Sequence, residues 1–155
     1  MNVLCLGKFD ALHRGHQALA AHAARICPPA GQVRLLHFTG MAEALGWPAR
    51  LPLVSPADRQ RILARWPASP SEIELPFAAI RDLDASGFLS LIRERFAATA
   101  IVIGDDFRGG RGRSADAAEF ARAGAALGVE VATVPAVADQ GGVVSSTRVR
   151  AALAV

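Results

Sequence analysis

Val3-Leu4-Cys5-Leu6, followed without a break by Gly7-Lys8-Phe9-Asp10-Ala11-Leu12-His13-Arg14-Gly15-His16, sets a short apolar run against a polar loop that holds two histidines. The run has the length and composition of a strand buried on both faces, as in a parallel sheet. Leu19, Ala23 and Ile26 then recur at i, i+4 and i+7, which predicts a helix opening near Gly15. Strand, tight loop and helix start in that order aim free amides and the positive end of the helix dipole at the strand's carboxyl edge, where an anion is held. Gly15 leaves room for the backbone to approach a phosphate. His13 and His16, three residues apart, fall on one face of the first turn. Two other readings of the pair stay open at this point: a metal site, and a turn whose histidines are structural. Zinc needs further ligands, and the chain offers only His22, His37 and two cysteines outside any CxxC pattern.

Strand and helix signals alternate along the remainder. Val33–Phe38 reads as a second strand, Ser71–Leu75 as a third, Ala100–Gly104 as a fourth and Val129–Val134 as a fifth. Ser55-Pro56-Ala57-Asp58 is a helix start, with a hydroxyl at the N-cap, proline at the first helical position and a carboxylate in the first turn. Ile62, Leu63 and Trp66 supply its apolar face. Phe88, Leu89, Ile92 and Phe96 outline another helix, and a further one is predicted from Ser114 through Phe120, Ala123 and Leu127, closed by Gly128. Such alternation implies right-handed crossovers. The expected fold is α/β, a Rossmann-like doubly wound sheet of about five parallel strands with helices on both faces. Its ligand belongs beyond the strands' carboxyl ends, where residues 7–16, 104–113 and 145–150 converge.

The chain of 155 residues is 52% apolar and carries a formal charge of +3, which fits one folded domain and an anionic small ligand. Neither a nucleic acid nor a membrane is an expected partner, and the sequence does not assign an oligomeric state. No apolar run approaches the roughly 18 residues of a membrane span, and no leader of signal-peptide form is evident. With two cysteines read as unpaired thiols, the expected compartment is the cytoplasm.

Gly104-Asp105-Asp106-Phe107-Arg108-Gly109-Gly110-Arg111-Gly112-Arg113 places paired carboxylates, three arginines and four glycines just past a buried strand. It reads as a ligand loop, against a solvated surface turn or a short arginine-glycine RNA tract. Ser145-Ser146-Thr147-Arg148-Val149-Arg150 puts hydroxyls and cations at a helix start, suited to phosphate or to ordinary capping.

GKFDALHRGH, VIGDDFRGG and SSTRVR, in this order and spread over almost the whole chain, resemble the HxGH nucleotidylyltransferase superfamily. The match is nearest to the adenylyltransferase module of bacterial FAD synthetases, whose helix after strand two also resembles Leu53–Arg59. That resemblance implies one nucleotidylyltransferase domain over residues 1–155, with no riboflavin kinase domain. It implies transfer of AMP from ATP to FMN, with pyrophosphate released and Mg2+ bridging phosphate oxygens rather than held in a protein metal site. The catalytic residues it implies are His13, His16 and Arg150. Gly7, Lys8, Phe9, Asp10, Gly15, Gly104, Asp106, Ser145, Ser146 and Thr147 would bind nucleotide, Phe9 and Asp10 chiefly by shaping the first loop. Phe38, Asp106, Phe107, Arg108 and Gly109 would frame the acceptor. The chain departs from the family pattern at Ala11, at Gly109, where a second aromatic is usual, and at His37–Met41, which lacks the usual prolines and second histidine. The last two imply weaker hold on FMN or a different phosphorylated acceptor, such as pantetheine phosphate, nicotinamide mononucleotide or a polyol phosphate. A catalytically silent nucleotide-binding module is the reading from another class.

Overall fold

Strand and helix do alternate in the computed structural model, which describes residues 1–154. β1 (Asn2–Leu6) leads into α1 (Arg14–Ile26), β2 (Gln32–Thr39), the short α2 (Met41–Leu45), α3 (Pro56–Ala64) and β3 (Ser71–Pro76). α4 (Ala85–Phe96) and β4 (Ala98–Gly104) follow, then a two-residue pair, β5 (Arg108–Gly109) and β6 (Ala115–Asp116). α5 (Ala117–Leu127), β7 (Glu130–Val134), the β8 (Ala138–Asp139) and β9 (Gly142–Val143) hairpin, and α6 (Ser146–Leu153) complete the chain's order. Five strands form one parallel sheet in the order β3-β2-β1-β4-β7.

Alternate side chains of each strand go to opposite faces of the sheet. Val3 and Cys5 of β1, Leu35 of β2 and Val102 of β4 pack with Leu19, Ala20 and Ala23 of α1 and with Leu63 and Trp66 at the end of α3. Leu4, Leu6, Leu36 and Ile103 face the other way, onto Phe88, Leu89 and Ile92 of α4 and Phe120 of α5. Apolar burial on both faces is what makes the sheet doubly wound. Among the described residues no helix is long and apolar enough to cross a membrane.

Ser55 caps α3 as its sequence predicts, accepting from the Asp58 amide at 3.2 Å with Pro56 opening the helix. The predicted start of α5 at Ser114 is corrected to Ala117. Ser114 follows a single 3-10 turn, whereas Asp116 makes a full capping box: its carboxylate accepts from the Glu119 amide at 2.9 Å and Glu119 returns the bond at 3.3 Å. β6 holds residues 115–116 extended until that box is reached.

α5 seats on β7 through Gly124, where a Cβ would overlap the Val129 carbonyl and stand 2.7 Å from Val131 Cγ2. In a free helix, Gly→Ala gains about 0.5–1 kcal/mol. Here the added methyl meets backbone that cannot yield, and overpacking costs about 1–3 kcal/mol. Gly124→Ala is therefore expected to lower the urea midpoint at unchanged m-value; a raised midpoint would contradict this packing.

Candidate active site

β1 and β4 lie side by side, but the chain leaves β1 toward β2 and β4 toward β7, so the loops beyond their carboxyl ends open a crevice at the sheet's switch point. His13 stands at its floor as the N-cap of α1. Its Nδ1 accepts from the amides of Gly15 at 3.1 Å and His16 at 3.4 Å. A nitrogen that accepts carries no proton, so Nε2 holds the hydrogen. Gly15 is required by this cap: a Cβ there would lie 2.9 Å from His13 Cε1.

His16 stacks on His13 with ring centroids 3.7 Å apart and an interplanar angle of 13°. Burial pushes both rings toward the neutral form; it lowers the His13 pKa and, with the charges of His13, Arg59 and His37, brings His16 down to about 3. His16 Nδ1 is buried with no hydrogen-bond partner. An orphaned lone pair is cheaper than an orphaned N–H, so the His16 proton also belongs on Nε2. The pair offers neutral donors rather than cations. Beneath it lies Phe9, fully buried, its ring 4.8 Å from that of His16 and 5.5 Å from that of His37.

α6 brings the third motif alongside. The Val144 carbonyl would be 3.9 Å from a Cβ on Gly15, so Ser145, Ser146 and Thr147 at the start of α6 stand next to the start of α1. Ser145 caps α6 by accepting from the Arg148 amide at 3.2 Å. Arg148 points away, holding Asp139 at 2.8 Å and the Gly142 carbonyl at 3.1 Å, which fastens the hairpin to the helix. Arg150 points inward: it donates to the Leu51 carbonyl at 3.0 Å and lies 4.0 Å from Asp10.

A cavity of about 550 Å³ opens beside these groups. Gly7, Lys8, Asp10, Phe38 and Arg150 line it, together with residues 40–43 and the segment Trp47–Pro52 apart from Ala49. Lys8 Nζ sits 4.5 Å from the centre of the Trp47 ring, and that ring is 45% exposed, available to a planar group. The 104–113 segment lies elsewhere. None of Gly104, Asp106, Phe107, Arg108 or Gly109 is on the cavity wall. Phe107 packs into the core, edge-on to Phe120 at 5.4 Å, rather than facing a ligand. Arg108 and Gly109 are taken up in the β5–β6 pair. A Cβ on Gly109 would touch the Phe107 and Phe120 rings, each at 3.0 Å, so the absent second aromatic has no room left for it.

Sequence reasoning missed the exposed aromatic at Trp47 and a half-buried polar cluster under the first loop. In that cluster Arg59 of α3 donates Nε to Glu72 of β3 at 2.9 and 3.2 Å, pairs with it again through Nη2, and gives Nη1 to the Phe9 carbonyl at 2.8 Å. His37 of β2 donates Nε2 to Glu72 at 2.7 Å. Burial alone would raise the Glu72 carboxyl, but Arg59 and His37 hold it below the usual range. Arg59 lies within the capped start Ser55–Arg59, yet its partners are 13 residues away at Glu72 and 50 at Phe9, and only strand register brings them together.

Among the described residues no three His, Cys, Asp or Glu side chains gather as a metal site. A divalent cation that arrived with a triphosphate would be carried by the phosphate oxygens, whose charge it would neutralise.

A family model described as FAD synthetase matches residues 1–148. FAD synthetase 2, chloroplastic, from Arabidopsis thaliana is 39% identical over 98% of this chain, and FAD synthetase 1, chloroplastic, from the same plant is 38% identical over 98%. The chain spans about half the length of these relatives, 46% and 48% of them respectively. A crystallised macrolide-efflux protein from Streptococcus pneumoniae superposes with a TM-score of 0.79 and 30% identity, covering 97% of this chain and 50% of its own. With its first and third motifs side by side at the starts of α1 and α6 and a family match over nearly its whole length, the chain belongs to the FAD synthetase family.

Proposed function

We propose that this chain transfers the adenylyl group of ATP to FMN. An oxygen of the FMN phosphate attacks the α-phosphorus, the bond from that phosphorus to the β-phosphate bridge breaks, and pyrophosphate leaves with the electron pair. The stacked, neutral histidine pair at the start of α1, with the start of α6 beside it, is the observation that carries the reading. His13 and His16 would donate Nε2–H to the α-phosphate oxygens, which gain charge in the transition state. The α6 amides and hydroxyls at Ser145–Thr147 suit the outer phosphates. Arg150 suits them too, once it exchanges the Leu51 carbonyl for phosphate. Magnesium would accompany the triphosphate.

The cavity fits the acceptor. Trp47 and Phe38 offer flat faces to an isoalloxazine ring, and Lys8 offers charge to its phosphate. An acceptor without an aromatic ring would leave Trp47 unused, and the curated relatives carry the FAD synthetase name, so pantetheine phosphate or a polyol phosphate is not favoured. Two free cysteines, Cys5 buried with its thiol pushed up to about 12, suit a reducing compartment.

The test is direct. Chain, ATP and Mg2+ are incubated with FMN, and FAD is measured by chromatography beside released pyrophosphate. FMN binding is expected to quench the exposed Trp47, and Trp47→Ala to abolish that quench and raise the KM for FMN by about 2- to 12-fold, the worth of one lost stacking contact. No FAD from the intact chain would overturn the assignment; an undiminished quench in Trp47→Ala would move the flavin elsewhere.

A further inference from the structure

Within the adenylyl-transfer reading, we propose that Arg59 is a positioning residue for the histidine pair: clamped by Glu72 and His37, its guanidinium holds the Phe9 carbonyl and so fixes the loop that delivers His13 and His16. Four elements meet in this cluster. Arg59 comes from α3, Glu72 from β3, His37 from β2 and Phe9 from the loop after β1. The Arg59 side chain is only 15% exposed, and every arm of its fork is used: Nε and Nη2 on the carboxylate, Nη1 on the carbonyl.

The loop it grips needs holding. Phe9 and Leu12 adopt left-handed backbone, φ 52° and 50°, a conformation that costs energy in any residue with a Cβ. Such strain persists where surrounding contacts over-determine it. Burial of the Phe9 ring supplies one constraint and the Arg59 hydrogen bond the second. Loss of the second would let the Phe9 peptide turn. The Phe9 ring supports His16, and His16 supports the His13 ring by stacking, so a small rotation at residue 9 reaches both donors. A displacement of order 1 Å at a reacting group is worth up to about 100-fold in rate.

Lysine at position 59 keeps the charge opposite Glu72 but cannot reach carboxylate and carbonyl together. Arg59→Lys is expected to lower kcat by about 10- to 100-fold while the KM for ATP moves less than about threefold. Glu72→Gln, which keeps an acceptor for Arg59 but loses the charge, is expected to show a smaller fall in the same direction. The second readout needs neither acceptor nor turnover. Long-range proton–nitrogen spectra of the unliganded chain should show His13 purely as the Nε2–H tautomer, and Arg59→Lys should show mixed tautomers as the cap loosens. Unchanged kcat with unchanged His13 signals would overturn the proposal. So would a kcat loss with an intact His13 tautomer, or a rise in KM for ATP as large as the fall in kcat. If the intact chain made no FAD, the histidine spectra of the two proteins would still decide the positioning role.

Discussion

His16→Ala is expected to reduce FAD formation from ATP and FMN by about 10²–10³ in kcat, with far less change in the KM for ATP. The His16 ring is neutral, held so by burial and by the positive groups around it, so it adds no net charge to ground-state nucleotide binding. Its contribution is a fixed N–H dipole aimed at oxygens that become more negative as the α-phosphorus accepts a fifth oxygen. A donor whose bond strengthens only there acts on turnover rather than on affinity. His16→Ala also removes one half of the stack that steadies His13. The effects of removing either ring should therefore not add: the double variant with His13→Ala is expected to be little slower than the worse single one. Steady-state kinetics of the three variants check this. Near-normal turnover in both single variants would remove the pair from the reaction.

Phe9→Ala is expected to cost about 3–5 kcal/mol of folding stability, the usual loss for a fully buried aromatic. Equilibrium denaturation at neutral pH measures it. The same variant should change how stability responds to acid. His16 ionises near pH 3 when folded but at its ordinary 6.5 when unfolded, so over that interval the unfolded chain takes up the proton that the folded chain refuses. Stability from this group is complete above pH 6.5 and is lost progressively as pH falls toward 3. With Phe9 gone, water reaches the His16 ring, its folded pKa rises, and this part of the acid slope becomes shallower. A Phe9→Ala protein as stable as the parent would mean that the ring is not the plug its burial indicates.

The fold was legible because parallel strands buried on both faces print as apolar runs, Val3–Leu6 and Ala100–Ile103 among them. Caps were legible where hydroxyl, proline and acid coincide, as at Ser55–Asp58. At α5 the stronger signal, Asp116 with Glu119 three residues on, was on the page in the sequence but outweighed by an isolated serine. The His13–His16 loop and Ser145–Thr147 declared themselves because helix N-termini are local features. Arg59, Glu72 and His37 did not. His37 stands opposite Glu74, and Glu72 opposite Leu35, so the bonded pair is diagonal across β2 and β3, a relation that depends on a register no single segment encodes. Residues 106–109, which the family resemblance offers as acceptor-binding, do not line the cavity beside Lys8 and Arg150. Two core phenylalanines, Phe107 and Phe120, instead draw that loop inward.

One lone pair on His13 is spoken for. Its Nδ1 is occupied by the amides that begin α1, and its Nε2 already bears hydrogen. A ring in that state has nowhere to put another proton without uncapping its own helix, so it cannot serve as a relay. That state suits the proposed acceptor, which arrives already ionised, as a phosphate ester does at neutral pH. An alcohol or an amine, which must shed a proton to become a nucleophile, would find no base in His13. The way this helix begins thus gives His13 a reason to favour, in the proposed reaction, an acceptor that brings its own charge.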